Sequence, residues 1–405
     1  MMMEYSHAKK ERDNPMKIAY VNATWHIGNG ESFYGSLVTE NGRITALVEG
    51  GMPPSADEIV NLGGYLVIPG LVDVHTHGRA GYDFTSATLD GATAAARSYL
   101  SSGVTSFLPT LASAPFAELC AAGDTLGALK SAAESDGTLP RVLGVHLEGR
   151  YLSKEKRGAH AEHLLAPLDP DELKTLIPHL GTKFHVSCAP ECDKTGEFIK
   201  TVTACGGTVG IAHTTATYVQ AMVALNRGAV SFTHTYNAMP ALQHREGGAV
   251  AAALVSDAYA ELICDGLHVS PEMVHLAYKC KGNRRLVLVT DSMEATDVGD
   301  GTYSIAGMTC IVKNGKAMTT DGHLAGSTLS LLDALVNLMH FCNISLDEAL
   351  PTATRNPAEM VRASSDVGTL EVGKMADFIV LPHEFDAYLR PHEGVRAVVL
   401  GGRRV

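Results

Sequence analysis

Ile68-Pro69-Gly70-Leu71-Val72-Asp73-Val74-His75-Thr76-His77 is a short apolar run that ends in two histidines. On a β-strand, residues i and i+2 point to the same side, so both imidazoles face one way. Similar endings recur along the chain. The first run, Tyr65–Val74, leads into this pair, and Thr105–Pro109 is the second. Arg141–Leu147 leads into Glu148, and Thr182–Ser187 follows as the fourth run. Gly207–Ala212 ends at His213 and Ala229–Thr233 at His234. Ala260–Cys264 leads into Asp265-Gly266-Leu267-His268, and Arg285–Thr290 ends at Asp291. Ala- and Leu-rich stretches of helical spacing lie between the runs, as at Ala87–Ser101, Phe116–Ala133, Asp171–His179 and Thr215–Arg227.

Strand–helix alternation predicts a parallel sheet, and eight units predict a closed (β/α)8 TIM-like barrel of the α/β class. In such a barrel every strand ends on one face, where catalytic residues gather. The polar endings therefore predict one shared site. A lone histidine is most often a hydrogen-bonded structural residue, and His146, His179 and His185 are read that way.

The flanks read differently. Ser36–Thr39 and Ile44–Val48 bracket the turn Glu40-Asn41-Gly42-Arg43, a hairpin signal. Short strands return at Asp377–Leu381 and Val395–Leu400. A second, smaller β domain is thus expected from the two terminal segments, 17–66 and 372–405, around a barrel of 67–371. Residues 1–16 are polar and charged, and are expected to be a mobile N-terminal tail rather than a signal peptide.

Composition narrows the function. With 45% hydrophobic and 19% charged residues the chain has an ordinary globular balance. A formal net charge of −12 argues against a nucleic-acid partner, and no run is long and apolar enough for a membrane partner. Eight scattered cysteines without zinc-ribbon spacing read as reduced thiols, so a cytoplasmic location is expected. Imidazoles and carboxylates without thiolates suit a divalent metal, with zinc, iron, cobalt or manganese all open. Such an ion activates water and polarises an amide carbonyl, while Asp291 is placed to carry the proton.

These residues resemble the amidohydrolase superfamily, and within it the deacetylases of N-acetylated amino-sugar phosphates. The most specific pieces are His146-Leu147-Glu148-Gly149, Thr233–Pro240, Asp265–Val269 and Val289–Ser292. Leu324–Ser327 and Asn356–Ala358 add to the match. The resemblance implies that Glu148, His213 and His234 hold the principal metal, zinc first, while His75 and His77 help hold a second. One or two ions per subunit are implied. Asp291 would be the general base and then acid, and His268 would polarise the carbonyl oxygen. His160 and His268 would hold the sugar hydroxyls and acetamide; Asn237, Ala238 and Arg245 would hold the phosphate. Arg245 in such relatives reaches a neighbouring subunit, which implies a homodimer or larger homo-oligomer. The implied reaction is hydrolysis of N-acetyl-D-glucosamine 6-phosphate to the amine and acetate. The galactosamine isomer and a catalytically silent sugar-phosphate-binding regulator are the alternatives.

Departures from the pattern are Arg150 for proline, Thr215 for Asn or Asp, Thr235 for leucine and Gly247 for proline. Arg150, beside Glu148, is expected to bear on substrate orientation.

Overall fold

The computed structural model describes residues 16–51, 53, 55–383, 385 and 394–405; apart from Met16, the predicted tail lies outside the described residues. Five strands come first: Lys17–His26 (β1), Ser32–Glu40 (β2), Arg43–Glu49 (β3), Glu58–Asn61 (β4) and Leu66–Pro69 (β5). The barrel strands follow at Leu71–Thr76 (β6), Val104–Leu111 (β7), Val145–Glu148 (β8) and Phe184–Cys188 (β9). Thr208–Ile211 (β10), Ser231–Phe232 (β11), Tyr259–Ile263 (β12) and Leu286–Val289 (β13) complete them. Gly301–Ile305 (β14), Met308–Lys313 (β15) and Lys316–Thr319 (β16) form a separate antiparallel sheet, and Phe378–Leu381 (β17), Ala397–Leu400 (β18) and Arg403–Arg404 (β19) end the chain.

Strands β6 to β13 pair in parallel, each with the next. The ring closes where Thr76 bridges Ser292 and the Asp291 amide donates to the His75 carbonyl at 2.9 Å. Eight helices alternate with these strands: α1 (Leu89–Tyr99), α2 (Phe116–Asp136), α3 (Pro170–Leu180), α4 (Glu197–Ala204), α5 (Tyr218–Asn226), α6 (Gly248–Val255), α7 (Pro271–Arg285) and α8 (Leu331–Cys342). Their starts are written in the sequence. Thr88 caps α1, Asp169 caps α3 ahead of Pro170, and Thr217 with Gln220 forms a capping box on α5. The predicted (β/α)8 barrel is what the chain forms.

The first apolar run is not one strand. It divides at Gly70, where β5 leaves for the small sheet and β6 enters the barrel. A side chain at Gly70 would stand 1.9 Å from Thr105 Oγ1, so only glycine fits this crossing. The small sheet runs β19-β18-β17-β5-β1-β2-β3, with β4 beside β1, and so joins both ends of the chain. Its own core contains Trp25, Tyr20 and Phe378, with Phe378 edge-on to both other rings at 5.4 and 5.0 Å. Burying each such side chain contributes roughly 2–3 kcal/mol. Among the described residues no helix is long and apolar enough to cross a membrane.

The β14–β16 sheet was not anticipated. It packs Ile305, Cys310 and Ala317 against Ala112 and Met293 beside the barrel mouth. The Ala306-Gly307 and Asn314-Gly315 turns, each with two left-handed residues, were the signals that mark it.

Candidate active site

His75, His77, Glu148, His213, His234 and Asp291 all come to the C-terminal mouth of the barrel, and all are buried. Three strand ends turn there through left-handed backbone: φ is 43° at His213, 30° at His234 and 50° at Asp291. Non-glycine residues rarely adopt these angles, and doing so costs about 1–2 kcal/mol each. The turns aim side chains inward that a regular strand would carry past the centre.

Glu148 stands in the middle. Its Oε1 lies 2.8 Å from His234 Nε2 and 3.2 Å from His213 Nε2. Its Oε2 lies 2.9 Å from His77 Nε2 and 3.4 Å from His75 Nε2. Asp291 Oδ1 approaches that second pair, at 3.3 Å from His77 Nε2 and 3.5 Å from His75 Nε2. One carboxylate thus faces two imidazole pairs, with a second carboxylate on one side only.

The charges are strongly coupled. Burial alone would raise both carboxyls. The nearby His75 and the hydrogen bonds from His160, His213 and His234 instead hold Glu148 well below the usual carboxylate range. Asp291, opposed by burial but facing His75 and His77, is held down at about 2. For His77, burial works downward, yet hydrogen bonds to Asp291 and Glu148 take it up to about 9.

The donor set fits a divalent cation. His213 Nε2 and His234 Nε2 are only 3.1 Å apart and converge on the same carboxylate oxygen. The Lys156 carbonyl, 2.7 Å away, accepts the His213 Nδ1 proton, which fixes the ring with Nε2 facing Glu148. No thiolate is in the cluster, in keeping with a borderline or hard ion.

Around the cluster is a cavity of about 500 Å3. His160, Asn237, Ala238 and His268 line it, as the sequence predicts. His160 Nδ1 lies 2.8 Å from Ser113 Oγ and 3.4 Å from the Ser113 amide, its Nε2 lies 3.7 Å from Glu148 Oε2, and burial lowers this imidazole to about 4, so His160 is neutral. His268 Nδ1 donates to Asp265 Oδ2 at 2.6 Å, while Asp265 Oδ1 accepts the Leu267 and His268 amides, both at 2.8 Å. Asn237 Nδ2 is buried without a partner, a donor with capacity to spare.

Arg245 is elsewhere. It sits on an exposed loop and does not line the cavity of its own chain. Arg150 also points away: its guanidinium pairs with Glu172 at 3.0 Å and crosses the Phe116 ring at 5.8 Å. The expectation that it bears directly on substrate orientation therefore fails, because at φ 46° its side chain leaves the mouth. Thr215 donates to Glu191 Oε1 through its amide at 2.6 Å and its hydroxyl at 3.0 Å, which pins the loop after His213. His146 and His185 lie inside the barrel beneath the site, and His179 pairs with Asp124 on the outside at 2.8 Å. Sequence reading missed Lys156, Ile305 and His323, all of which line the cavity. His323 and Ile305 arrive with the unanticipated β14–β16 sheet.

A profile of the Amidohydrolase family matches residues 66–405, and the chain belongs to that family. Among relatives, it is 36% identical to the N-acetylglucosamine-6-phosphate deacetylase of Vibrio furnissii, over 86% of each chain. It is 34% identical to the N-acetylgalactosamine-6-phosphate deacetylase of Escherichia coli O157:H7, over 85% of this chain and 93% of that one. The fold is similar to the crystal structure of the Pasteurella multocida N-acetylglucosamine-6-phosphate deacetylase, at a TM-score of 0.87 and 28% identity, covering 96% of this chain and 99% of that one.

Proposed function

We propose that the protein hydrolyses N-acetyl-D-glucosamine 6-phosphate to D-glucosamine 6-phosphate and acetate. The observation that carries this reading is the Glu148 carboxylate shared between two imidazole pairs, with ionised Asp291 against one of them. The sugar phosphate comes from the relatives, several of which carry that activity in their names.

Glu148, His213 and His234 would hold a principal divalent ion, for which zinc is our choice, and His75 with His77 would hold a second. Such an ion supplies Lewis-acid polarisation of the acetamide carbonyl and acidifies water. Asp291, ionised at neutral pH, accepts a proton as water adds to the acetamide carbon and delivers it to the departing amine. His268, whose ring is held by the Asp265 carboxylate 2.6 Å from its Nδ1, is assigned to stabilise the oxyanion. His160 would take a sugar hydroxyl, and Asn237 Nδ2 with the Ala238 amide the phosphate. The cation that phosphate needs is assigned to Arg245 of a second subunit, in a homodimer. Eight unpaired cysteines support a reducing compartment, the cytoplasm.

The test is acetate release from the two isomeric N-acetylhexosamine 6-phosphates by metal-loaded protein. Faster release from the gluco isomer is expected. Faster release from the galacto isomer would move the assignment to the activity named for the Escherichia coli relative, and no release from either would end it.

A further inference from the structure

Beneath the site the barrel interior is polar rather than packed with branched aliphatics. Glu261, on β12, shares a face with Ile263, which lines the cavity, and so sits one layer lower. It is fully buried, and among the described residues no lysine or arginine is paired with it. Its Oε2 lies 3.3 Å from His75 Nδ1. Its Oε1 has no hydrogen-bond partner and has His185 Nε2 at 3.8 Å. His75 Nδ1 is thus the nearest hydrogen-bond partner for this buried side chain.

His75 is pulled from two sides. On Nε2 it meets Glu148 Oε2 at 3.4 Å and Asp291 Oδ1 at 3.5 Å, and both carboxylates draw a proton toward that nitrogen. A proton there would abolish the lone pair that a metal requires. Glu261 draws the proton to Nδ1 instead. His77 has no such partner, because its Nδ1 is buried and unpaired.

Resting on the metal-site reading above, we propose that Glu261 is a positioning residue that fixes the His75 tautomer and thereby sets occupancy of the His75/His77 half of the site. With Glu261 present, Nε2 faces the pocket as a ligand. Without it, the proton moves to Nε2 and this half no longer holds an ion, while the Glu148-His213-His234 half keeps its own.

The experiment is equilibrium dialysis of the full-length, metal-free chain against Co2+ alone, read by bound cobalt and by its d–d absorption. Wild type is expected to bind two ions. Glu261→Leu should keep the tighter ion, which also reports that the site is folded, and bind the second about 100-fold more weakly. Glu261→Gln, which keeps an acceptor oxygen and drops the charge, should restore the second ion to within about tenfold of wild type. If Glu261→Leu fails to fold, the tenfold weakening in Glu261→Gln carries the test, and unchanged affinity there overturns the proposal. Two unchanged ions in Glu261→Leu, or a single ion in wild type under excess Co2+, also overturn it. Wild type binding no cobalt would instead remove the metal-dependent function itself.

Discussion

Left-handed backbone is handled in opposite ways at two places. In the hairpin between β2 and β3 the positive φ values fall on Asn41 and Gly42, residues that adopt them readily. At the barrel mouth they fall on His213, His234, Ala238 and Asp291, where histidine and aspartate are only mildly tolerant and alanine is not. The hairpin residues were chosen for the backbone. The mouth residues line the cavity, and the packed barrel below holds their backbone in place.

The largest effect expected from breaking this contrast is catalytic. Asp291→Asn keeps the size and the left-handed turn but removes the carboxylate proposed as proton acceptor, so acetate release should fall about 1000-fold with metal content unchanged. Parallel rate and metal measurements check it, and a near-normal rate removes Asp291 from its role. Next is Gly149→Ala. At φ 150° an added methyl would stand 2.4 Å from the Ser113 amide nitrogen, so a loss of about 3 kcal/mol in denaturant unfolding is expected.

A paired substitution sharpens the comparison at about 1 kcal/mol each way. Asn41→Ala should destabilise by that amount, because alanine resists the turn. Ala238→Gly should stabilise by a similar amount, since glycine relieves φ 51°. Loss of stability in both would mean that the mouth is not strained at Ala238.

The smallest effect lies in the small sheet. Tyr20 donates to the Gly402 carbonyl at 2.9 Å, and burial, with Glu58 adding, pushes its phenol up to about 12. A folded value above the unfolded one, about 10, gives stability that is complete below pH 10 and lost as pH rises through 12. Tyr20→Phe should cost about 0.5 kcal/mol at neutral pH and flatten that alkaline decline in pH-dependent unfolding.

The barrel and most of its site were legible because chemistry-bearing residues terminate apolar runs, a pattern that needs no knowledge of pairing. Glu148, His213, His234 and Asp291 could be named from that alone. Gly70 was not legible as a break, because its reason is Thr105, on the neighbouring strand β7. Glu191, whose carboxylate takes Thr214 and Thr215 from the loop after the next strand, and Asp265, which holds His268 three residues on, had roles that only the fold makes visible. Arg150 misled in the other direction, since proximity in sequence to Glu148 says nothing of where a left-handed residue sends its side chain.

The small sheet has a consequence in time. Strand β5 pairs with β17, Ile68 opposite Ile379, so a strand made early waits for one made some 300 residues later. At ribosomal speed that wait is on the order of tens of seconds. The barrel strands emerge within that interval, beside an open edge that includes Val67 and Leu66. Nascent chains should therefore be most open to chaperones or to mispairing after the barrel is made and before Phe378 leaves the ribosome.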